Sequence, residues 1–242
     1  MELSVTQVPL WVSLSFGITF TTIPPILIAN AAKKALGKEN PSNRSNLKRN
    51  IVSFYTIFFV VIGVLSWFGA FSVNALPPHI VTFAALPLFL FYILIVQRKA
   101  WFQSVYEEIR TEQLVQIHIF RFVGIYFFLV NAYGTLPDTF ALVGGAGDIV
   151  TAVLAIPTVY LLKRKARFAK AMAWGWNIIG LVDIITVLTT AILITRQAMV
   201  GHDPGVQQFG TFPFSWIPAF APATIIFLHI LIFKKLVSSK SL

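Results

Sequence analysis

Seven long runs of apolar residues constrain the fold of this chain more than any other feature. The hydrocarbon core of a bilayer is ~30 Å thick, and a helix that crosses it needs about 20 mostly apolar residues. Each run is close to that length, so we predict an all-α integral membrane protein with seven transmembrane helices in a single domain, residues 1–242. The predicted spans are residues 9–29, 51–73, 80–96, 114–132, 140–162, 171–194 and 216–233. A short interfacial helix is predicted at about residues 99–112, where the apolar side chains share one face.

The composition excludes a soluble globular protein. Hydrophobic residues make up 57% of the chain and charged residues only 12%, about half of the ~25% that is usual in soluble domains. The chain has no cysteine, which excludes disulfides, thiolate metal sites and cysteine nucleophiles. We find no nucleophile elbow, phosphate loop or dinucleotide fingerprint, so we favour a non-enzymatic role and predict no cofactor or metal from motifs.

Basic residues alternate along the chain and predict its orientation. Lysine and arginine are concentrated in the cytoplasmic loops of membrane proteins. Of the 19 lysines and arginines, all but Arg121 and Arg196 follow the first, third, fifth or seventh predicted span. This pattern predicts an N-terminus outside and a C-terminus in the cytoplasm. The net charge of +10 then reflects topology and anionic lipid headgroups, so the lipid bilayer is the predicted partner and nucleic acid is not.

Polar side chains inside the spans are the most informative residues for function, because each costs a few kcal/mol at depth unless it is paired or hydrated. The interiors of the first three spans contain no charged residue, whereas the last four spans contain six polar side chains of particular interest. They are His118, Arg121, Asp148, Asn177, Asp183 and His229. At ~1.5 Å per residue, the histidines, Arg121 and Asn177 lie roughly 6–10 Å from the cytoplasmic edge, and the aspartates about 12–16 Å from the outer edge. We therefore expect four helices to aim polar groups at two neighbouring levels.

The charges of the polar residues inside the spans predict an ion pair. The long side chain of Arg121 can reach Asp148 or Asp183, but one arginine neutralises only one carboxylate. The second carboxylate must be protonated, pair with a protonated His118, or face water or a bound cation. Such a surplus acid is typical of proton relays and substrate sites. The alternative is an Asp–Arg–Asp network that only holds the bundle together, and both interpretations stay open here.

From these residues we predict a protein that binds or translocates a small solute, with proton coupling through the two aspartates. A polar, partly hydrated cavity is expected between spans four to seven. Arg121 would hold one carboxylate ionised or meet an anionic group of the solute, while His118 and Asn177 would orient the solute or relay a proton. The predicted site residues are Asp148, Asp183, Arg121, Asn177, His118, His229 and Trp176.

Two alternative functions use the same polar residues. His118 and His229 lie at matched depths, which would suit the axial ligands of one b-type haem in a redox or sensory protein. The second alternative is a non-catalytic scaffold or a subunit of a larger assembly, in which the polar cluster only joins helices.

Two short segments carry local predictions. The small residues 144–147 directly before Asp148 predict close helix packing, with a loosened helix that exposes carbonyls as the alternative. The aromatic segment 212–216 is expected to be an interfacial anchor, with a lid over an outward opening as the alternative.

Several motifs in the second half resemble a known group of proteins. They are Arg121-Phe-Val-Gly124, Tyr133-Gly134-x-Leu136-Pro137-x-x-Phe140, Gly147-Asp148, Trp176-Asn177-x-x-Gly180-Leu181-x-Asp183, and Pro218-x-Phe220-x-Pro222 followed by His229. Over roughly residues 117–233 the pattern resembles a widespread group of uncharacterised bacterial multi-pass membrane proteins. The resemblance implies a bacterial cytoplasmic (inner) membrane location and the same polar residues, and it implies no activity.

Overall fold

The structure, a computed structural model, describes residues 8–36, 41–201 and 205–238, with the side chains of 41–44 left aside. Within these residues it is helical throughout, with turns between the helices and no strand. The principal helices are α1 (Leu10–Ala35), α2 (Pro41–Trp67), α3 (Val81–Arg98), α4 (Ala100–Glu108), α5 (Thr111–Ala132), α6 (Asp138–Lys163), α7 (Ala169–Val200) and α8 (Trp216–Val237). A short 3-10 helix, Gln207–Gly210, precedes α8.

Seven of these helices, all except α4, are long and apolar enough to cross a membrane. The predicted number of long apolar helices is therefore confirmed, and their length and apolarity are those of a membrane protein. Each apolar run forms a helix because a helix satisfies its own backbone hydrogen bonds where water is absent.

The bounds of several helices differ from the prediction. Helix α1 continues to Ala35 and α7 to Val200, each beyond the predicted end of the apolar run. Helix α2 ends at Trp67, before the predicted residue 73, because the chain turns there and Gly69 adopts a φ of +78°. The interfacial helix α4 stops at Glu108, since Ile109 has extended backbone angles before α5 begins.

Helices α5 and α8 lie at the centre of the bundle. In α8, 78% of the apolar window is buried, and in α5 67%, against 17% in α7. Helix α8 packs against α2, α3, α5 and α7. The outer helices instead expose large apolar side chains, such as Leu14, Val60 and Ile179, which is typical of a surface in contact with hydrocarbon.

Two lysines of α8 bond to α3 and α4 at one end of the bundle, which we call the basic end. Lys235 Nζ donates to the carbonyl of Glu107 at 3.1 Å, and Lys234 Nζ donates to Gln97 Oε1 at 3.2 Å. The C-terminal ends of α3 and α8 are therefore neighbours. Three basic positions of the predicted alternation lie outside the described residues, namely Lys38, the side chain of Arg44, and Lys240.

At the opposite end, the aromatic segment before α8 folds into the protein. Phe214 and Trp216 are buried, and Trp216 Nε1 donates to the carbonyl of Phe59 at 2.8 Å. Ser215 Oγ donates to Ser66 Oγ at 2.8 Å. Phe214 and Trp216 therefore pack inside the bundle, whereas Phe212 is exposed, and the interfacial anchor stays a prediction for Phe212.

Candidate functional site

A local change of helix type places the site residues of α5 on one face. The backbone is 3-10 helical over His118–Gly124. A 3-10 helix has three residues per turn, so residues i and i+3 lie one above the other. His118, Arg121 and Gly124 therefore form one line along α5, and their contacts are with α6, α7 and α8.

The guanidinium of Arg121 is buried and binds both aspartates. Its Nε donates to Asp148 Oδ1 at 2.7 Å, and its Nη2 donates to Asp183 Oδ2. Its Nη1 donates to the carbonyl of Gly180 at 3.2 Å. The predicted ion pair is thus present, but it includes both carboxylates instead of one. We call Arg121, Asp148 and Asp183 the arginine centre.

The arginine centre has an unbalanced charge when both acids are ionised. Two carboxylates face one guanidinium, and the ion pairs of Asp148 and Asp183 among the described residues are both with Arg121. His118, the other predicted partner, makes no hydrogen bond to either carboxylate. One negative charge is therefore left for a proton, a cation or water to compensate.

Glycines make room for the two aspartates. A Cβ on Gly147 would overlap Asp183 Oδ1, and a Cβ on Gly124 would lie 2.8 Å from the Cβ of Asp148. The backbone just before Asp148 is π-helical over Leu142–Ala146. The predicted close packing is confirmed, and the helix is also loosened there, as π-helical turns often are beside functional residues.

Next to the arginine centre lies a second group of residues, which we call the histidine cluster: His118, His229, Trp176, Asn177 and Thr151. The ring centroids of His118 and His229 are 4.4 Å apart, and Trp176 lies edge-on to His118 at 5.0 Å. The amide NH₂ of Asn177 donates to the carbonyl of His229 at 3.2 Å, and its oxygen is 2.7 Å from His229 Nδ1. Because the amide oxygen accepts a hydrogen bond, Nδ1 is the donor in this contact, and in the neutral ring Nε2 is then the nitrogen without a proton.

Several buried polar atoms of this histidine cluster have no hydrogen-bond partner among the described residues. They are both ring nitrogens of His118, Nε2 of His229 and Oγ1 of Thr151. Such atoms are rare in native proteins, where buried polar groups are nearly always paired. Thr151 was not among the predicted site residues, although its place one turn after Asp148 puts both on the same face of α6.

Gly180 joins the histidine cluster to the arginine centre. Its carbonyl accepts from Arg121, while a Cβ on it would lie 2.8 Å from His229 Nε2 and 3.0 Å from Thr151 Cγ2. The structure therefore brings all seven predicted site residues into one connected polar interior between α5, α6, α7 and α8.

The histidine pair does not have the geometry of two haem ligands. An axial nitrogen lies ~2 Å from its metal, so two ligands on opposite faces hold their nitrogens about 4 Å apart and their ring centres farther still. The centroids here are 4.4 Å apart and the ring planes are inclined by 44°. The rings contact each other and Trp176 directly, which leaves no space for an iron and a porphyrin between them.

Two cavities lie near these helices. A small one of about 80 Å³ extends from the loop residues Asn74 and Gln207 to Asp148. A larger one of about 640 Å³ is lined by residues of α1, α2, α3, α4, α5 and α8. The cavity expected between spans four to seven thus corresponds in position to the small one, and the ligand-sized cavity lies elsewhere.

Comparison with protein families assigns the second part of the chain. A family described as a domain of unknown function (DUF8737) matches residues 76–237. The chain belongs to this family. Every residue of the arginine centre and of the histidine cluster lies within the DUF8737 match, whereas α1 and α2 precede it. No curated protein and no solved structure matches the chain.

Proposed function

We propose that this protein binds and translocates a small solute across a bacterial cytoplasmic membrane, with coupling to a proton at the arginine centre. In this proposal the N-terminus is outside and the basic end faces the cytoplasm, as the distribution of lysine and arginine favours. The observation that carries the proposal is one buried arginine bonded to two carboxylates, which leaves one negative charge to be compensated.

The charge balance explains why a proton would matter. An uncompensated charge in the interior of a membrane protein costs a few kcal/mol or more. A proton bound by either aspartate makes the centre neutral, with one positive and one negative group. A protein conformation that hydrates the centre favours the ionised form, and one that excludes water favours the neutral form. Proton binding therefore shifts the balance between such conformations.

Polar groups support a route on each side of the centre. The small cavity connects Asp148 with the loops at the end opposite the basic residues, and its volume is that of a few waters. In the other direction, the unpaired atoms of Thr151, His229 and His118 continue from Gly180. A proton would thus move between Asp148 and the histidine cluster past a fixed arginine.

Infrared difference spectroscopy of the reconstituted protein tests the proton site directly. We expect a carbonyl band of a protonated, buried carboxylic acid to appear on acidification. It should be lost in Asp148→Asn or Asp183→Asn and retained in Asp138→Asn, which removes an exposed acid at the start of α6. If no such band depends on Asp148 or Asp183, the centre takes up no proton and the proposal is wrong.

Vesicles loaded with a pH-sensitive dye test the coupling. A panel of sugars, amino acids and short carboxylic acids is added outside, and proton entry is followed. We expect at least one solute to drive proton entry with the wild type and Asp138→Asn, and none with Asp148→Asn. If Asp148→Asn and Asp183→Asn fail to fold while Asp138→Asn folds, the network is structural and the scaffold alternative is favoured.

A further inference from the structure

The larger cavity is a second site with a chemistry of its own. Its volume of about 640 Å³ is typical of a pocket that encloses a small organic molecule. Its walls are mainly aliphatic and aromatic side chains of α1, α2, α3 and α8, among them Ile28, Phe54, Phe91 and Leu228. Residues 224, 227, 228 and 231 of α8 line it with the spacing of one helix face. From Thr224 to Leu231 this face extends over about 10 Å.

The cavity is lined without charge. Its polar side chains, among the described residues that form it, are hydroxyls, two amides and an indole, and neither an acid nor a base is included. In the interior of the cavity, away from Lys235 beside the Tyr106 ring, a carboxylate, phosphate or ammonium group would lose its hydration without gaining a counter-charge, and this is unfavourable by several kcal/mol. The lining therefore favours a neutral ligand.

Three hydroxyl groups form a chain at the inner end of the cavity. The hydroxyls of Tyr55 and Tyr92 are 3.1 Å apart, and that of Tyr92 is 3.0 Å from Thr224 Oγ1. All three residues are buried. Two hydrogen bonds among three hydroxyls use two O–H donors, so one donor and several lone pairs are left over. The chain can therefore bind an oxygen atom of a ligand.

Helix α4 covers the other end of the cavity. Trp101, Ser104 and Tyr106 of this helix line the cavity opposite Asn46 and Asn50 at the start of α2. Trp101, Ser104 and both asparagines are exposed, so the entrance is polar and lies close to the basic end. Burial raises the pKa of the Tyr106 phenol above its ordinary value, which keeps this part of the wall neutral.

We infer that the larger cavity binds a neutral amphiphile, a molecule with a hydrocarbon body and a single hydroxyl or carbonyl oxygen. The hydrocarbon body contacts the apolar walls, and the oxygen hydrogen-bonds to the Tyr55, Tyr92 and Thr224 hydroxyls. The site is separate from the arginine centre and does not depend on the proposed transport. Because α1 and α2 form part of its wall, it extends beyond the DUF8737 match.

Photolabelling in lipid nanodiscs tests this inference. The probe is a long-chain alcohol with a diazirine in its chain, and the labelled residues are mapped by mass spectrometry. We expect labels on cavity residues. An alcohol without the diazirine should prevent this labelling at a concentration several-fold lower than is needed with three competitors of equal chain length, namely the alkane, the carboxylate and the trimethylammonium compound. Labels concentrated on lipid-facing residues of α7, such as Ile179 and Val182, would overturn the inference. So would equal competition by all four compounds.

Hydroxyl deletions provide the matched variants. Tyr92→Phe removes the central hydroxyl, and Thr224→Val removes one end of the chain with little change in volume. Each should weaken competition by the alcohol roughly two- to tenfold, the worth of one hydrogen bond, and leave competition by the alkane unchanged. Tyr126→Phe is the control, since its hydroxyl bonds to Thr19 away from the cavity. If Thr224→Val and a folded Tyr92→Phe both bind the alcohol like the wild type, the oxygen site is refuted.

Discussion

Removal of the arginine from between its two carboxylates should be among the most damaging single changes in this chain. Arg121→Gln keeps a long polar side chain but leaves Asp148 and Asp183 without their shared counter-charge. Breaking a buried ion pair at one partner typically costs about 3–5 kcal/mol. For a chain of this size, at ~2–4 °C per kcal/mol, that lowers the melting temperature by roughly 6–20 °C. Thermal unfolding of the purified protein, followed by tryptophan fluorescence, measures the loss.

Neutralising the acids should restore most of that stability. The variant Arg121→Gln with Asp148→Asn and Asp183→Asn has no buried charge left to compensate, so we expect it to melt well above Arg121→Gln alone. Asp183→Asn alone should change stability by about 1 kcal/mol or less, because the Arg121–Asp148 pair is then neutral. Arg196→Gln, at an exposed position, is the control. Two results would refute the role of uncompensated charge: a melting temperature of Arg121→Gln equal to that of Arg196→Gln, or a triple variant that melts no higher than Arg121→Gln.

Two further variants test the neighbouring contacts. Gly147→Ala should displace the Asp183 carboxylate from Arg121 and shift the frequency of the infrared band, because a buried carboxylate without its counter-charge binds a proton more readily; Gly175→Ala, with open space around an added Cβ, should leave the band unchanged. Asn177→Leu removes both hydrogen bonds to His229 and leaves Nδ1 unpaired, so we expect a loss of about 2–4 kcal/mol in thermal unfolding. A melting temperature equal to that of the wild type would contradict the assigned amide contacts.

The number of spans could be predicted from the sequence because the relevant physics is local. Each apolar run must satisfy its own backbone in hydrocarbon, and length alone then identifies a helix. The helix ends were less predictable. Helix α1 continues past its apolar run to Ala35, and α2 stops where Gly69 turns the chain. The length of an apolar run therefore does not predict where α1 or α2 ends.

The convergence of the polar residues could also be predicted, since a charge at membrane depth needs partners from other helices. How they pair could not be derived from depth. Arg121 binds two carboxylates because of the 3-10 helical segment of α5 and because Gly147, without a side chain, leaves space for Asp183. The position of the larger cavity depends on packing among helices distant in sequence. The polar residues favoured a cavity between spans four to seven, where the small cavity reaches Asp148.

Helix α8 connects the two proposed sites. Thr224 and Leu228 line the larger cavity on one face of α8, and His229 on another face joins the histidine cluster. Because α8 is the most buried of the seven helices, we expect a shift of α8 that widens the cavity to move His229 relative to Gly180 and the arginine centre. If the two sites are coupled in this way, the coupling is reciprocal. Binding of the amphiphile must change the proton affinity of the arginine centre by the same factor by which protonation of the centre changes the affinity for the amphiphile. Equal proton uptake with and without the alcohol would mean that α8 holds the two sites independently.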